Sequence, residues 1–109
     1  MAEKELAKRR CVPCEGATPK LPRERIRELL ALVPGWEEHD DRLRRTFRRR
    51  DFREAMAFVN RMADLAEAEG HHPDFCVHYD HVDVELWTHA VSGLSENDFV
   101  LAAKLSALP

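Results

Sequence analysis

A chain of 109 residues with 44% hydrophobic content is long enough for one domain with a real core. Its 17 basic and 20 acidic side chains leave a net charge of −3, which argues against a nucleic-acid or membrane partner. No apolar run approaches a spanning helix, Met1-Ala2-Glu3-Lys4-Glu5 is charged where a signal peptide is apolar, and three cysteines do not suit a disulfide framework. A cytoplasmic location is expected.

Residues 1–20 contain Cys11-Val12-Pro13-Cys14, Gly16 and Pro19 with little apolar periodicity, and are expected to be loosely ordered ahead of a single domain over 21–109. Pro22 suits a first helical turn; Ile26, Leu29, Leu30 and Val33 form an apolar stripe that Pro34-Gly35 ends. Trp36–His39 and Leu43–Arg48 read as a hairpin around Asp40-Asp41-Arg42, with Leu43 and Phe47 on one face and Arg45 between them. Asp51–Glu69 carries the strongest helical signal. Asp51 and Glu54 resemble a capping box, and Phe52, Ala55, Met56, Val59, Met62, Ala63 and Ala66 make one stripe. Gly70 suits the left-handed position after the helix.

Phe75–Tyr79 and Val82–Thr88 form a second hairpin, in which Val82, Val84, Leu86 and Thr88 alternate with Asp83, Glu85, Trp87 and His89. Ser95 starts a last helix with Asp98 at the capping-box partner position and Phe99, Ala102, Ala103 and Leu105 on its apolar side. Hairpins imply antiparallel pairing, and amphipathic helices must cover a sheet face. The expected fold is a two-layer α+β domain in the order helix, hairpin, helix, hairpin, helix.

Chemistry concentrates at the element ends. Gly70-His71-His72-Pro73 places two imidazoles in a helix-to-strand loop, and proline pushes His72 toward extended backbone. His89 follows the last strand on its polar face with Glu85 and Trp87, and Asp98 is available to orient one of the imidazoles. Tyr79 and Trp87 offer flat apolar surface to a planar ligand. Histidine titrates near neutral pH, so such a pocket moves protons without a cofactor. The bland alternative is a set of solvated histidines, and Asp98 is fully explained as a helix cap.

The pattern Glu67-x3-His71-His72-Pro73-x5-Tyr79-x9-His89-x8-Asp98 resembles the signature of pterin-4a-carbinolamine dehydratases. Pro34-Gly35-Trp36, Arg50-Asp51-Phe52 and Gly93-Leu94-Ser95-Glu96-Asn97-Asp98 resemble that family's surrounding motifs, so the likeness covers roughly residues 20–108. The resemblance implies a four-stranded antiparallel sheet with three helices packed on one face, assembled as a homodimer or homotetramer. It implies that His71, His72 and His89 are catalytic or substrate-binding and that Asp98 supports them. Gly70 and Thr88 carry over as pterin contacts, with Glu67, Trp36 and Trp87 as weaker ones. The implied reaction is loss of water from a 4a-hydroxytetrahydropterin, recycling a pterin for an aromatic amino acid hydroxylase. It needs no metal or other cofactor.

Three rivals fare worse. Cys11-x2-Cys14 has zinc spacing, but no second pair accompanies it at ribbon or finger spacing. The basic run from Arg42 to Arg50 suggests nucleic acid, yet strand alternation splits it between two faces and Asp40, Asp41 and Asp51 dilute it. Animal members of the family also serve as dimerisation cofactors of a transcription factor; the intact histidine set favours the enzyme.

Overall fold

The computed structural model describes residues 2–11 and 20–109. In chain order the elements are α1 (Ala2–Ala7), α2 (Arg23–Leu30), β1 (Glu37–His39), β2 (Arg42–Arg48), α3 (Phe52–Glu69), β3 (Asp74–His78), β4 (His81–Leu86) and α4 (Glu96–Ser106). The four strands form one antiparallel sheet in the order β1-β2-β4-β3, so the second hairpin inserts its inner strand beside the first. Asp40 and Asp41 both have positive φ, 51° and 61°, which gives β1–β2 a two-residue turn and lets β2 begin at Arg42.

Period-2 alternation divides the sheet. Leu43, Phe47, Val82, Val84 and Leu86 are buried on the inner face, where Leu43 lies opposite Leu86 and Phe47 opposite Val82. Arg44, Thr46, Asp83 and Glu85 face outward and bond across strands: Arg44 Nε donates to Glu85 at 2.8 Å and Thr46 Oγ1 to Asp83 at 2.6 Å. The helical layer covers the inner face, with Ile26 and Leu29 of α2 and Phe58 and Met62 of α3 in the same core as the sheet residues. Among the described residues no helix is long and apolar enough to cross a membrane.

Helix α3 starts and stops where its sequence requires. The Asp51 carboxylate accepts from the Glu54 amide at 2.9 Å. Gly70, at φ 67°, turns the chain out of the helix in a conformation that a Cβ disfavours. The buried stripe differs from the expected one. It runs Ala55, Phe58, Val59, Met62 and Ala66, whereas Phe52 is 50% exposed and Ala63 faces solvent. Phe58, fully buried, stacks on Phe47 at 4.6 Å, and that ring meets Trp36 edge-on at 5.7 Å. A stripe centred on Phe58 aims the helix at this aromatic group and leaves Phe52, in the first turn, exposed.

The N-terminal segment also differs. Part of it is ordered: α1 packs on α4, with Leu6 buried. Cys14, Gly16 and Pro19 lie outside the described residues. Helix α4 explains why a cover is needed, since Asn97 through Ala103 and Leu105 are all buried and no polar face is left. Polar groups hold the cover down. Lys104 Nζ donates to the Ala7 carbonyl at 2.7 Å, Arg9 pairs with Glu96 at 2.8 Å, and the Glu69 carboxylate receives the Cys11 amide at 2.9 Å beside Arg10 and Lys104.

Burial pushes the Glu69 carboxyl up, but the Cys11 N–H, Lys104 and Arg10 together outweigh it and hold it below the ordinary value. A depressed carboxylate stabilises the fold above its unfolded value and loses that contribution as pH falls through the folded one. Glu69→Gln is therefore expected to flatten the acid limb of stability against pH below about 4.5, the ordinary glutamate value, as read by urea unfolding at each pH. Phe58→Ala should cost about 3–5 kcal/mol and Phe52→Ala less than about 1 kcal/mol in the same assay.

Candidate active site

Three segments converge at the end of the sheet where β4 finishes: the loop after α3, the loop after β4, and the first turn of α4. The loop after β4 is closed on itself by paired backbone bonds between Thr88 and Gly93, with the Thr88 amide donating to the Gly93 carbonyl at 2.8 Å. His89 begins a single 3-10 turn, His89–Val91, which Ser92 closes at φ 51°. The His71 amide returns to the Ala66 carbonyl at 3.2 Å, so the αL turn at Gly70 sets where the first imidazole emerges.

Asp98 joins all three. Its side chain is completely buried. Oδ2 accepts from the Ser95 amide at 3.0 Å, which is the helix cap, and from the Thr88 hydroxyl at 2.7 Å; Oδ1 meets His71 Nε2 at 2.6 Å. Ser95 Oγ lies 2.7 Å from Thr88 Oγ1 and can donate to it, since the Thr88 proton is directed at Asp98. When the carboxylate accepts from His71, the proton of that contact sits on Nε2, and a neutral imidazole then carries its lone pair on Nδ1. The cap reading and the histidine-orienting reading of Asp98 are both realised, on different oxygens.

The other two imidazoles are held differently. His72 is exposed and its Nε2 lies 2.6 Å from the exposed Glu67 carboxylate, a solvent-screened contact of small energetic weight. His89 stacks on Trp87 with ring centroids 3.8 Å apart and planes inclined by 23°. The guanidinium of Arg42 lies 4.2 Å over the same indole, whose Nε1 donates to Asp74 at 3.0 Å.

Gly70, His71, His72, Trp87, Thr88, His89 and Ala90 line a cleft of about 230 Å³. Ala90, absent from the sequence reading, is carried there by the 3-10 turn, which has no periodic signal to reveal it. Asp98 and Glu67 are not in the lining and reach the cleft through His71 and His72. Trp36 is not brought to it at all. It is a core residue, 4% exposed, with Nε1 donating to Ser106 Oγ at 3.0 Å. Tyr79 stands at the opposite, β3–β4 hairpin end of the sheet and is exposed, so it supplies no ligand platform here. A larger groove of about 500 Å³ crosses the outer face of the sheet, but its lining contains no histidine. The smaller cleft is the one whose lining carries imidazoles, His71, His72 and His89. Among the described residues no three histidine, cysteine or acidic side chains are grouped to hold a metal ion.

The family model described as Pterin 4 alpha carbinolamine dehydratase matches residues 19–108. The chain belongs to the pterin-4a-carbinolamine dehydratase family. Relatives are similar over nearly their full length. A Rubrobacter xylanophilus protein named "Putative pterin-4-alpha-carbinolamine dehydratase" is 49% identical over 105 residues, covering 95% of this chain and 98% of its own. One of the same name from Stenotrophomonas maltophilia is 54% identical over 105 residues, covering 94% and 90%. A crystal structure described as a transcriptional coactivator/pterin dehydratase from Brucella melitensis superimposes with a TM-score of 0.77 at 34% identity, covering 81% of this chain and 96% of that one. The four-stranded antiparallel α+β fold expected from the resemblance is the fold observed.

Removing the shared carboxylate should be felt in the fold as well as in the cleft. Asp98→Ala leaves the Ser95 amide, the Thr88 hydroxyl and His71 Nε2 without their acceptor, and is expected to lower unfolding free energy by about 1–3 kcal/mol. Urea denaturation checks this. Thr88→Val, which removes one donor and leaves the cap in place, should cost less.

Proposed function

We propose that this protein is a hydro-lyase that removes water from a 4a-hydroxytetrahydropterin to give the quinonoid dihydropterin. The observation that carries the reading is the His71–Asp98 pair beside His89 in one cleft, in a chain of this family. Elimination breaks the C4a–O bond and removes the proton from N5 as the C4a=N5 bond forms. The leaving hydroxide takes a proton from an acid, and a base takes the proton from N5, so the reaction is balanced by two proton transfers and one molecule of water.

His71 is the base in this scheme. With Nε2–H committed to Asp98, its Nδ1 is the lone-pair nitrogen, and the carboxylate stabilises the imidazolium formed when Nδ1 accepts a proton. His89 is the acid: among the described residues neither of its ring nitrogens has a protein partner. His72, exposed at the rim and braced by Glu67, binds the pterin, as do the backbone around Gly70 and Thr88. Proton transfer by placed groups contributes roughly 10²–10⁴-fold, enough for a carbinolamine that already loses water unaided. The product suits reduction back to the tetrahydropterin used by an aromatic amino acid hydroxylase, and a homodimer or homotetramer in the cytoplasm is the working form that the resemblance suggests.

The test is the dehydration of freshly generated 4a-hydroxytetrahydropterin, followed by absorbance. His71→Ala and His89→Ala are each expected to lower kcat by about 10²-fold or more, and His72→Ala to act mainly on KM. The wild-type rate should pass through a maximum with pH, because one imidazole must be neutral while the other is protonated. Unaltered rates in both alanine variants would sink the assignment; no acceleration by the wild type would remove the enzyme reading.

A further inference from the structure

The three imidazoles of the cleft are fixed in unequal ways. His71 is anchored by a buried carboxylate and His72 by a surface one, each through Nε2. Among the described residues His89 has no hydrogen-bond partner on either ring nitrogen. An imidazole that must present its nitrogens to a substrate has only its faces available for positioning, and one face of His89 is covered by Trp87 at 3.8 Å.

Trp87 is itself clamped. Its indole N–H donates to Asp74 of β3 at 3.0 Å, and the Arg42 guanidinium of β2 lies 4.2 Å over the ring. Glu85 accepts from Arg42 at 3.3 Å and from Arg44 at 2.8 Å, so the guanidinium is held in turn. His89 and the Arg42 guanidinium thus both pack against the one indole, at 3.8 and 4.2 Å. Trp87 also lines the cleft.

We propose that Trp87 is a positioning residue that fixes the ring of His89 for proton transfer, and that Arg42 and Asp74 lock the indole from neighbouring strands. The proposal rests on the dehydratase reading for the use to which His89 is put. The stack itself is independent of that reading. A clamped indole has few orientations, so the imidazole resting on it keeps its nitrogens in line with the reacting atoms without engaging either of them.

Two measurements on the full chain separate the possibilities. The first is the NMR position of the His89 ring protons, which the indole ring current moves upfield in the wild type. The second is the kcat and KM of carbinolamine dehydration. Trp87→Leu should abolish the upfield shift and lower kcat about 10- to 100-fold with KM kept within about twofold. Trp87→Phe, which keeps an aromatic face, should retain most of both, and so guards against simple misfolding. Asp74→Ala, which frees the indole without removing it, should give a partial loss of each. An unshifted His89 in the wild type overturns the stack. An unchanged kcat in Trp87→Leu, or a rise in KM alone, overturns positioning and makes the indole a bystander or a substrate contact. An inert wild type with a shifted His89 overturns the dehydratase reading, and the positioning role with it, while leaving the stack itself demonstrated.

Discussion

One carboxylate holds the cleft together. Asp98 caps α4 with one oxygen and fixes His71 with the other, and the capping oxygen also receives the Thr88 hydroxyl from the loop after β4. A fully buried carboxylate is costly unless its lone pairs are satisfied. Here three donors from three segments do so. The same hydrogen bonds that make the burial tolerable tie the end of α3, the end of β4 and the start of α4 to a common point. The site and the local fold are thus one network, and a change to either is transmitted to the other.

The rest of the molecule keeps that point in place. The aromatic group of Trp36, Phe47 and Phe58 seats α3 on the sheet, which fixes where Gly70 ends the helix. Helix α1 closes the outer side of α4, whose first turn carries Asp98. Glu69 sits one residue before Gly70 and takes the Cys11 amide and Lys104 together, so the N-terminal segment is joined to the same helix end. On the outer face of the sheet the cross-strand pairs of Glu85 with Arg42 and Arg44 continue into the indole stack behind His89.

Local chemistry was legible wherever a residue type has few alternatives. Asp51, Gly70 and Ser95 with Asp98 mark helix ends because only those side chains or backbone angles satisfy the exposed amides or turn the chain. Alternation in Val82 to Thr88 is reproduced in the burial of the strand and of Thr88 beyond it. Helix rotation was not legible in α3. Phe52 and Phe58 are equally apolar, and only the packed position of Phe47 on the inner face of β2 selects Phe58. Helix α1 was missed for a related reason. A six-residue charged segment has no strong periodicity of its own and is ordered by the apolar outer side of α4, about ninety residues away in sequence.

The sequence by itself determined the element order, the caps and the register of histidines and aspartate that mark the family, because these depend on spacing and on single-residue conformational limits. The tertiary structure decided what each imidazole is bound to. Nothing in the spacing says that His71 takes the buried carboxylate, that His72 takes a solvent-screened one, or that His89 takes none and rests on Trp87 instead. Those partners come from segments that meet only when β4 inserts between β2 and β3 and α4 docks behind them. What holds each imidazole therefore belongs to the packing and not to the order of residues along the chain.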